Sequence, residues 1–317
     1  MTAVYFAAPV SDDERRGGLY AGNIYINYAT SASRALIELA RGLLEEAFAP
    51  HDPRTIHEHL TAEQVAAILG TLKPRFVHHP ECKVLIREML AENGADIEKT
   101  YFDVPRMRSA YPSHFLSSGI AYAFHPHRDT WYSAPMCQIN WWFPIYPIEP
   151  GNGMGFYPDY FDKPVKNNSE IYNYYEWNAK NRATAAQHVK SDTREQPKPQ
   201  EKINPPSICY VSPPGAPILF SGAQLHETIA NATGVARYSI DFRTVHIDDV
   251  IAHRGADNID SRCTGTTMRD YLRASDLQHL PEDIIRTYDD GTELDSKILY
   301  FGDRLVAQAA NGQMPRT

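Results

Sequence analysis

Pro217-Ile218-Leu219-Phe220-Ser221-Gly222-Ala223-Gln224-Leu225-His226-Glu227-Thr228 is the stretch on which the reading of this chain turns. A short apolar run, 217–220, has the length of a buried strand, and the small residues Ser221-Gly222-Ala223 turn the chain before His226. After Asn231-Ala232-Thr233-Gly234 comes Ala236-Arg237-Tyr238-Ser239-Ile240-Asp241-Phe242-Arg243, where polar and apolar residues alternate. Alternation of this kind marks a strand, and it puts Arg237, Ser239, Asp241 and Arg243 on one face. A cation inside a barrel is costly unless paired. A carboxylate ligand is a natural partner, because a guanidinium grips it with two prongs.

The same texture extends upstream. Short apolar or alternating runs at 100–104, 119–124, 137–143, 208–211 and 237–246 are separated by turn signals such as Asn152-Gly153 and Pro213-Pro214-Gly215. Many short strands with turn punctuation suggest a β-sandwich or barrel. Before residue 99 the period is helical. Residues 31–49 carry Ala35, Leu36, Leu39, Leu43, Leu44 and Phe48 at helix spacing. Thr61-Ala62-Glu63-Gln64 is a capping box ahead of Val65, Ile68 and Leu69. Residues 80–93 open with Pro80 and stop at Gly94.

These features predict one domain over residues 1–317. A helical N-terminal layer (1–98) buttresses a β core (99–158 and 207–246). A polar insertion (159–206) interrupts the core, with a helix predicted at 171–190 and a Pro-rich loop at 192–206. A C-terminal extension (247–317) follows, with one or two short helices within 268–288 and a tail that frays. An excursion as long as 159–206 serves either as a lid or as a solvated loop. Its Tyr172-Asn173-Tyr174-Tyr175-Glu176-Trp177 suits closure on a substrate, docking to the barrel, or contact with a second subunit.

Composition excludes several classes. The 317 residues hold 31 Lys and Arg against 39 Asp and Glu, a net charge of −8, which argues against broad nucleic-acid binding. The most apolar segment, 136–148, is broken by Gln138, Asn140, Pro144 and Pro147, so no membrane span is expected. The N-terminus lacks a basic region and a long apolar run, and the chain reads as cytoplasmic. Cys82, Cys137, Cys209 and Cys263 are widely spaced and read as reduced thiols. Oligomeric state is not legible; a homo-oligomer is compatible with the sequence.

The chemistry starts at His127-Arg128-Asp129, directly after an expected strand. In an extended chain His127 and Asp129 aim the same way and Arg128 the other. An imidazole and a carboxylate at this spacing are two thirds of the two-histidine, one-carboxylate triad that holds non-haem Fe(II). Alone the triplet is weak evidence; His226 supplies the third group.

Together the segments resemble the Fe(II)/2-oxoglutarate-dependent oxygenase superfamily, nearest to its phytanoyl-CoA dioxygenase-like branch. The resemblance runs through the His127-Arg128-Asp129 triplet and Gln138-Ile139-Asn140-Trp141-Trp142 with Asn152-Gly153. It continues through Leu219-Phe220-Ser221, His226, Asn231, Thr233 and Gly234, and through Arg237-Tyr238-Ser239, which starts eleven residues after His226. It spans residues 115–157 and 207–246.

The resemblance implies a mainly β fold with flanking helices and a double-stranded β-helix (jelly-roll, cupin-like) core. It implies iron on His127, Asp129 and His226, and the far carboxylate of 2-oxoglutarate on Arg237 with Ser239. Thr228, Asn140 and Trp142 are implied at the co-substrate. Gln138 shares the inward strand face with Asn140 and Trp142 and is expected at the substrate. Trp131 and Tyr132 are expected to wall the substrate side, with Arg128 or Arg106 meeting an acidic group; the competing readings are loop packing for the aromatics and solvated charge for the arginines.

The implied activity uses Fe(II), 2-oxoglutarate and O2 and releases succinate and CO2 while hydroxylating a small natural-product or amino-acid-like metabolite. Desaturation, epoxidation, epimerisation and ring closure use the same ligand set. Asp129 is intact, unlike in the related halogenases, where a small residue replaces the carboxylate. Two other readings stay open. His125, His127 and His226 would make a three-histidine cupin dioxygenase that uses no 2-oxoglutarate; Asp129 is preferred because Arg237 then has a task. A non-catalytic metabolite-binding jelly roll is the other. Arg243 is a competing anchor for the co-substrate, with pairing to a buried acid as its alternative. His246 and His253 read as surface or structural residues.

Overall fold

A computed structural model of the protein describes residues 2–117, 121, 125–180 and 194–289. The strand expected at 119–124 (Ala121 apart), the second half of the helix expected at 171–190, and the C-terminal tail lie outside the described residues.

In chain order the elements are β1 (Val4–Phe6), α1 (Asp12–Tyr20), β2 (Ile24–Ile26), α2 (Ser31–Phe48), α3 (Ala62–Val77), α4 (Pro80–Glu92), β3 (Thr100–Phe102), β4 (Arg106–Ala110), β5 (Ile139–Pro144), β6 (Met154–Phe156), α5 (Tyr174–Lys180), β7 (Ile208–Tyr210), β8 (Ile218–Ser221), β9 (His226–Thr228), β10 (Arg237–His246), α6 (Ile247–Ile251), β11 (Leu272–Arg273) and α7 (Glu282–Ile285). The larger of two sheets runs β1-β2-β8-β5-β10-β3-β11, with β4 pairing the first half of the β10 edge whose second half carries β3. The smaller sheet runs β7-β6-β9.

β10 organises the molecule. Its alternation sends Tyr238, Ile240 and Phe242 into one core with Trp141 and Phe143 of β5 and the buried stripes of α2, α3 and α4. Burying each such side chain stabilises the fold by roughly 1.5–3 kcal/mol. The opposite face carries Arg237, Ser239, Asp241 and Arg243, as the pattern predicts. The second core lies between the sheets, where Trp142, Phe220 and Ile218 meet Phe156, Met154 and Tyr210. Phe156 sits edge-on to Phe220 at 5.0 Å, and Trp142 to Tyr210 at 6.0 Å. Arg237 and Ser239 therefore project from the polar face of a strand whose other face packs on helices.

Helix ends follow their sequence signals. Thr61 and Gln64 exchange both hydrogen bonds of the capping box before α3. Gly94 takes the left-handed conformation (φ +78°) just past α4. The Asn152-Gly153 turn closes as a 3-10 turn, with Gly153 extended rather than left-handed. Glycine is needed there for another reason: a Cβ would run into the Tyr210 carbonyl of β7.

The N-terminal layer is not purely helical, which corrects the expectation for 1–98. β1 and β2 extend the large sheet through β8. At three residues each they are too short to show a period. β6 and β9 are as short and as silent, and the arginines of β4 mask its strand character. Among the described residues the insertion forms an α-helix only over Tyr174–Lys180, after a 3-10 turn at Ser169–Ile171. All four cysteines are free. No helix among the described residues is long and apolar enough to cross a membrane.

Candidate active site

His127, Asp129 and His226 converge between the sheets, all buried, with one ligand atom of each within 4.8 Å of the others. Backbone pairing makes the convergence. His127 N–H donates to the His226 carbonyl at 2.9 Å and His226 N–H to the His127 carbonyl at 3.0 Å. Arg128 between His127 and Asp129 is extended (φ −110°, ψ 141°), so the triplet keeps the same-face geometry its spacing predicts.

The two imidazoles are prepared identically. Nδ1 of His127 lies 2.9 Å from the carbonyl of His125, and Nδ1 of His226 lies 2.9 Å from that of Gln224. A carbonyl only accepts, so each Nδ1 carries a proton, and in a neutral imidazole so held Nε2 keeps its lone pair. The Nε2 atoms face Asp129 Oδ1 at 3.5 and 3.9 Å. Burial pushes the His226 imidazole down to about 4, which favours its neutral form. Burial alone would raise the Asp129 carboxyl. The charge of Arg243, the largest opposing influence, outweighs it and holds the group far below the usual carboxylate range. Two imidazole nitrogens and a carboxylate oxygen facing one point are the donor set that suits a non-haem metal.

A second feature adjoins this group. Arg237 is 3% exposed, and its guanidinium lies over the Trp142 ring, 5.4 Å from the centroid. Its nitrogens reach only neutral acceptors at long range: the carbonyls of Gly153 (3.3 Å) and Asn152 (3.5 Å) and Thr228 Oγ1 (3.5 Å). Among the described residues it has no ion pair. Arg237 Nε and the fully buried Ser239 Oγ have no hydrogen-bond partner. Burial draws the guanidinium down to about 10, the charge of Asp241 opposing this. A buried cation held only by long bonds to neutral acceptors is costly, and so is a buried hydroxyl with no partner. Arg237 thus meets Thr228 and Trp142, and an anion bound there would give its guanidinium an ionic partner.

Other expected site residues are placed differently. Gln138 does not face a substrate space: its Nε2 donates to Asp129 Oδ2 and to Asn140 Oδ1, each at 2.8 Å. Asn140 is thereby drawn into the support of Asp129. Arg128, expected at a substrate acid or in solvent, is 1% exposed. It donates to Asp260 (3.0 Å) and to the carbonyls of Ala223, Tyr160 (2.5 Å) and Lys163 (3.0 Å). Trp131, expected at the substrate, is fully buried and donates to Asp260 at 2.7 Å. Both brace the loop that holds Asp129. Arg106 pairs with Asp103. Arg243 is engaged by Asp103 (3.3 Å), Asp129 (3.5 Å) and Asp241 (3.7 Å), so it is not the anchor for a co-substrate. His125 directs Nε2 to the Pro197 carbonyl at 2.9 Å and is not part of the converging group.

Tyr132 lies edge-on to His127 at 5.5 Å, and its hydroxyl donates to the Pro197 carbonyl at 2.9 Å. Next to it the aromatic run of the insertion is docked: Tyr172, Tyr174 and Tyr175 are buried, and Tyr175 donates to Asp289 of the C-terminal extension at 2.8 Å.

Nothing in the local sequence singles out Asp260. Its carboxylate joins the metal-side loop (Arg128, Trp131) to the insertion (Val165 N–H, 3.0 Å). Removing it strands a buried guanidinium. Asp260→Ala is expected to cost about 3–5 kcal/mol of stability, measured by urea unfolding; a loss under about 1 kcal/mol would show that Arg128 finds other compensation.

No family model and no curated protein matches the chain. Among solved structures, it is similar to a "non-heme monooxygenase; ThoJ apo" (13% identity, 69% of this chain and 71% of that one, TM-score 0.35). It is also similar to EvdO2 from Micromonospora carbonacea var. aurantiaca complexed with 2-oxoglutarate (11%, 75% and 91%, 0.40). A third likeness is to the epimerase SnoN in complex with Fe3+, alpha ketoglutarate and nogalamycin RO (13%, 74% and 85%, 0.36). Likeness this loose carries no weight for chemistry, which rests on the side chains described above.

Proposed function

We propose that the protein is a non-haem Fe(II)- and 2-oxoglutarate-dependent oxygenase that hydroxylates a small natural-product or amino-acid-like metabolite, with release of succinate and CO2. The observation that carries this reading is the buried, unpaired Arg237–Ser239 seat beside the three converging donors. A metal site alone fits many proteins. A metal site adjoining a buried cation that lacks a carboxylate fits a protein whose co-substrate brings one.

On this reading His127 Nε2, Asp129 Oδ1 and His226 Nε2 hold the metal, and Arg237, Ser239 and Thr228 hold the far carboxylate of 2-oxoglutarate with Trp142 beneath it. Iron with 2-oxoglutarate and O2 supplies the oxidising chemistry when bound. The chain's own part is to bind, orient and exclude water. Nδ1–H donation to two carbonyls fixes the imidazole tautomers, and the aromatic wall of Tyr132 and Tyr172 shields His127. No general acid, base or nucleophile from the chain is required.

The two facing sheets are read as a double-stranded β-helix, or jelly roll, in a single domain, of the phytanoyl-CoA dioxygenase-like branch. The insertion is read as a closing element. Its partner is a small molecule rather than nucleic acid or membrane, and its setting the cytoplasm. The ligand set serves desaturation, epoxidation, epimerisation or ring closure equally well. Hydroxylation is the simplest outcome.

The test is succinate release from 2-oxoglutarate by iron-loaded protein without added substrate. Slow release above the metal-free control is expected. None, despite bound iron, would favour the binding-protein reading.

A further inference from the structure

The Asp129 carboxylate is held asymmetrically. Oδ1 faces both imidazole Nε2 atoms, whereas Oδ2 accepts from Gln138 Nε2 at 2.8 Å and lies 3.5 Å from Arg243 Nε. Gln138 is fully committed. Its second N–H goes to Asn140 Oδ1 at 2.8 Å, and its Oε1 accepts from the Tyr271 hydroxyl at 2.8 Å. Tyr271 (1% exposed), Gln138 (2%) and Asn140 (5%) are all buried, so water offers no alternative partner.

An amide can flip, exchanging donor for acceptor. A flipped Gln138 would set its oxygen against the Asp129 carboxylate and the Asn140 oxygen, leaving both without a donor. The Asp129 carboxylate, which only accepts, sets the amide orientation, and the Tyr271 hydroxyl completes it by donating to Oε1. Tyr271 comes from the C-terminal extension and stands just before β11, whose pairing with β3 fixes its place on the sheet.

We propose that Gln138 occupies Oδ2 of Asp129 and, with Tyr271 holding its amide, that both act as positioning residues that leave Asp129 a one-oxygen metal ligand. The inference rests on the oxygenase reading, since it presumes a metal at His127, Asp129 and His226. It gives the C-terminal extension a task at the metal. Groups that orient ligands in this way typically govern metal affinity about 10–100-fold.

The probe is Co(II) alone, titrated into metal-free protein and followed through its visible d–d bands, with the melting temperature of the metal-free variants as a folding control. Gln138→Ala is expected to weaken Co(II) binding about 10–100-fold and to alter the band envelope. Tyr271→Phe, which removes only a hydroxyl, is expected to weaken it about 2–10-fold. Because Tyr271 acts through Gln138, the double variant is expected to bind no more weakly than Gln138→Ala. If Gln138→Ala does not fold, Gln138→Met, of similar length, takes its place. Wild-type affinity and spectrum in Tyr271→Phe, or losses that multiply in the double variant, would overturn the inference and leave the oxygenase reading intact. Wild-type protein that binds no Co(II) would overturn both.

Discussion

Replacing Arg237 by methionine is expected to raise the KM for 2-oxoglutarate about 30- to several-thousand-fold, the cost of truncating one partner of a buried charge pair, while Fe(II) affinity holds. The same change is expected to leave the metal-free protein as stable as wild type or more so. Arg237 Nε has no partner, and its other nitrogens reach only neutral acceptors at 3.3–3.5 Å. An apolar side chain of similar volume removes that penalty, a gain of about 1–4 kcal/mol in comparable buried sites. The two directions together separate a binding role from a structural one, since a structural arginine would lose stability when removed. Arg237→Lys keeps the charge but not the two-pronged geometry and is expected to recover only part of the affinity. KM from succinate release, read beside urea unfolding of the metal-free variant, checks both arms. A lower stability with an unchanged KM would remove Arg237 from the co-substrate site.

Asp129→Ala is expected to abolish turnover and to weaken metal binding by more than the roughly 100-fold that an outer-shell partner can cost, because it removes a ligand outright. The fold is expected to survive. Arg243, which loses one counter-charge, keeps Asp103 at 3.3 Å and Asp241 at 3.7 Å. His125→Ala provides the contrast. Its Nε2 bonds the Pro197 carbonyl rather than the converging group, so metal stoichiometry is expected to stay at wild-type level. Metal content after anaerobic Fe(II) loading, with circular dichroism for the fold, distinguishes them. Iron retained in Asp129→Ala and lost in His125→Ala would restore the three-histidine alternative.

Regular spacing carries the part of the molecule that is legible in its sequence. β10 alternates over its first seven residues, Arg237 to Arg243, so the residues alone disclose its polar face. The His127–Asp129 pair is legible for the same geometric reason, and the helix caps at Thr61 and Gly94 because capping is local chemistry. Hidden parts depend on partners distant in the chain. Arg128 looks like any surface arginine until Asp260 is found beside it, and Gln138 looks like a substrate contact until Tyr271 fixes its amide. Neither distant residue carries a local signal. β1, β2, β6 and β9 have three residues each, too few for a period of two to stand out. Arg243 shares its strand face with Arg237; only the acids around it, Asp103 above all, distinguish the engaged guanidinium from the one that has no ion pair among the described residues.

The central claim is that 2-oxoglutarate binds a metal held by His127, Asp129 and His226 while Arg237 takes its far end. Anaerobic titration of metal-free protein with Fe(II) and then 2-oxoglutarate, followed by visible absorption, tests it most directly. The expected result is a weak charge-transfer band that needs both components and that weakens in Arg237→Met at equal concentrations. No band, in protein shown to hold stoichiometric iron, would contradict the claim.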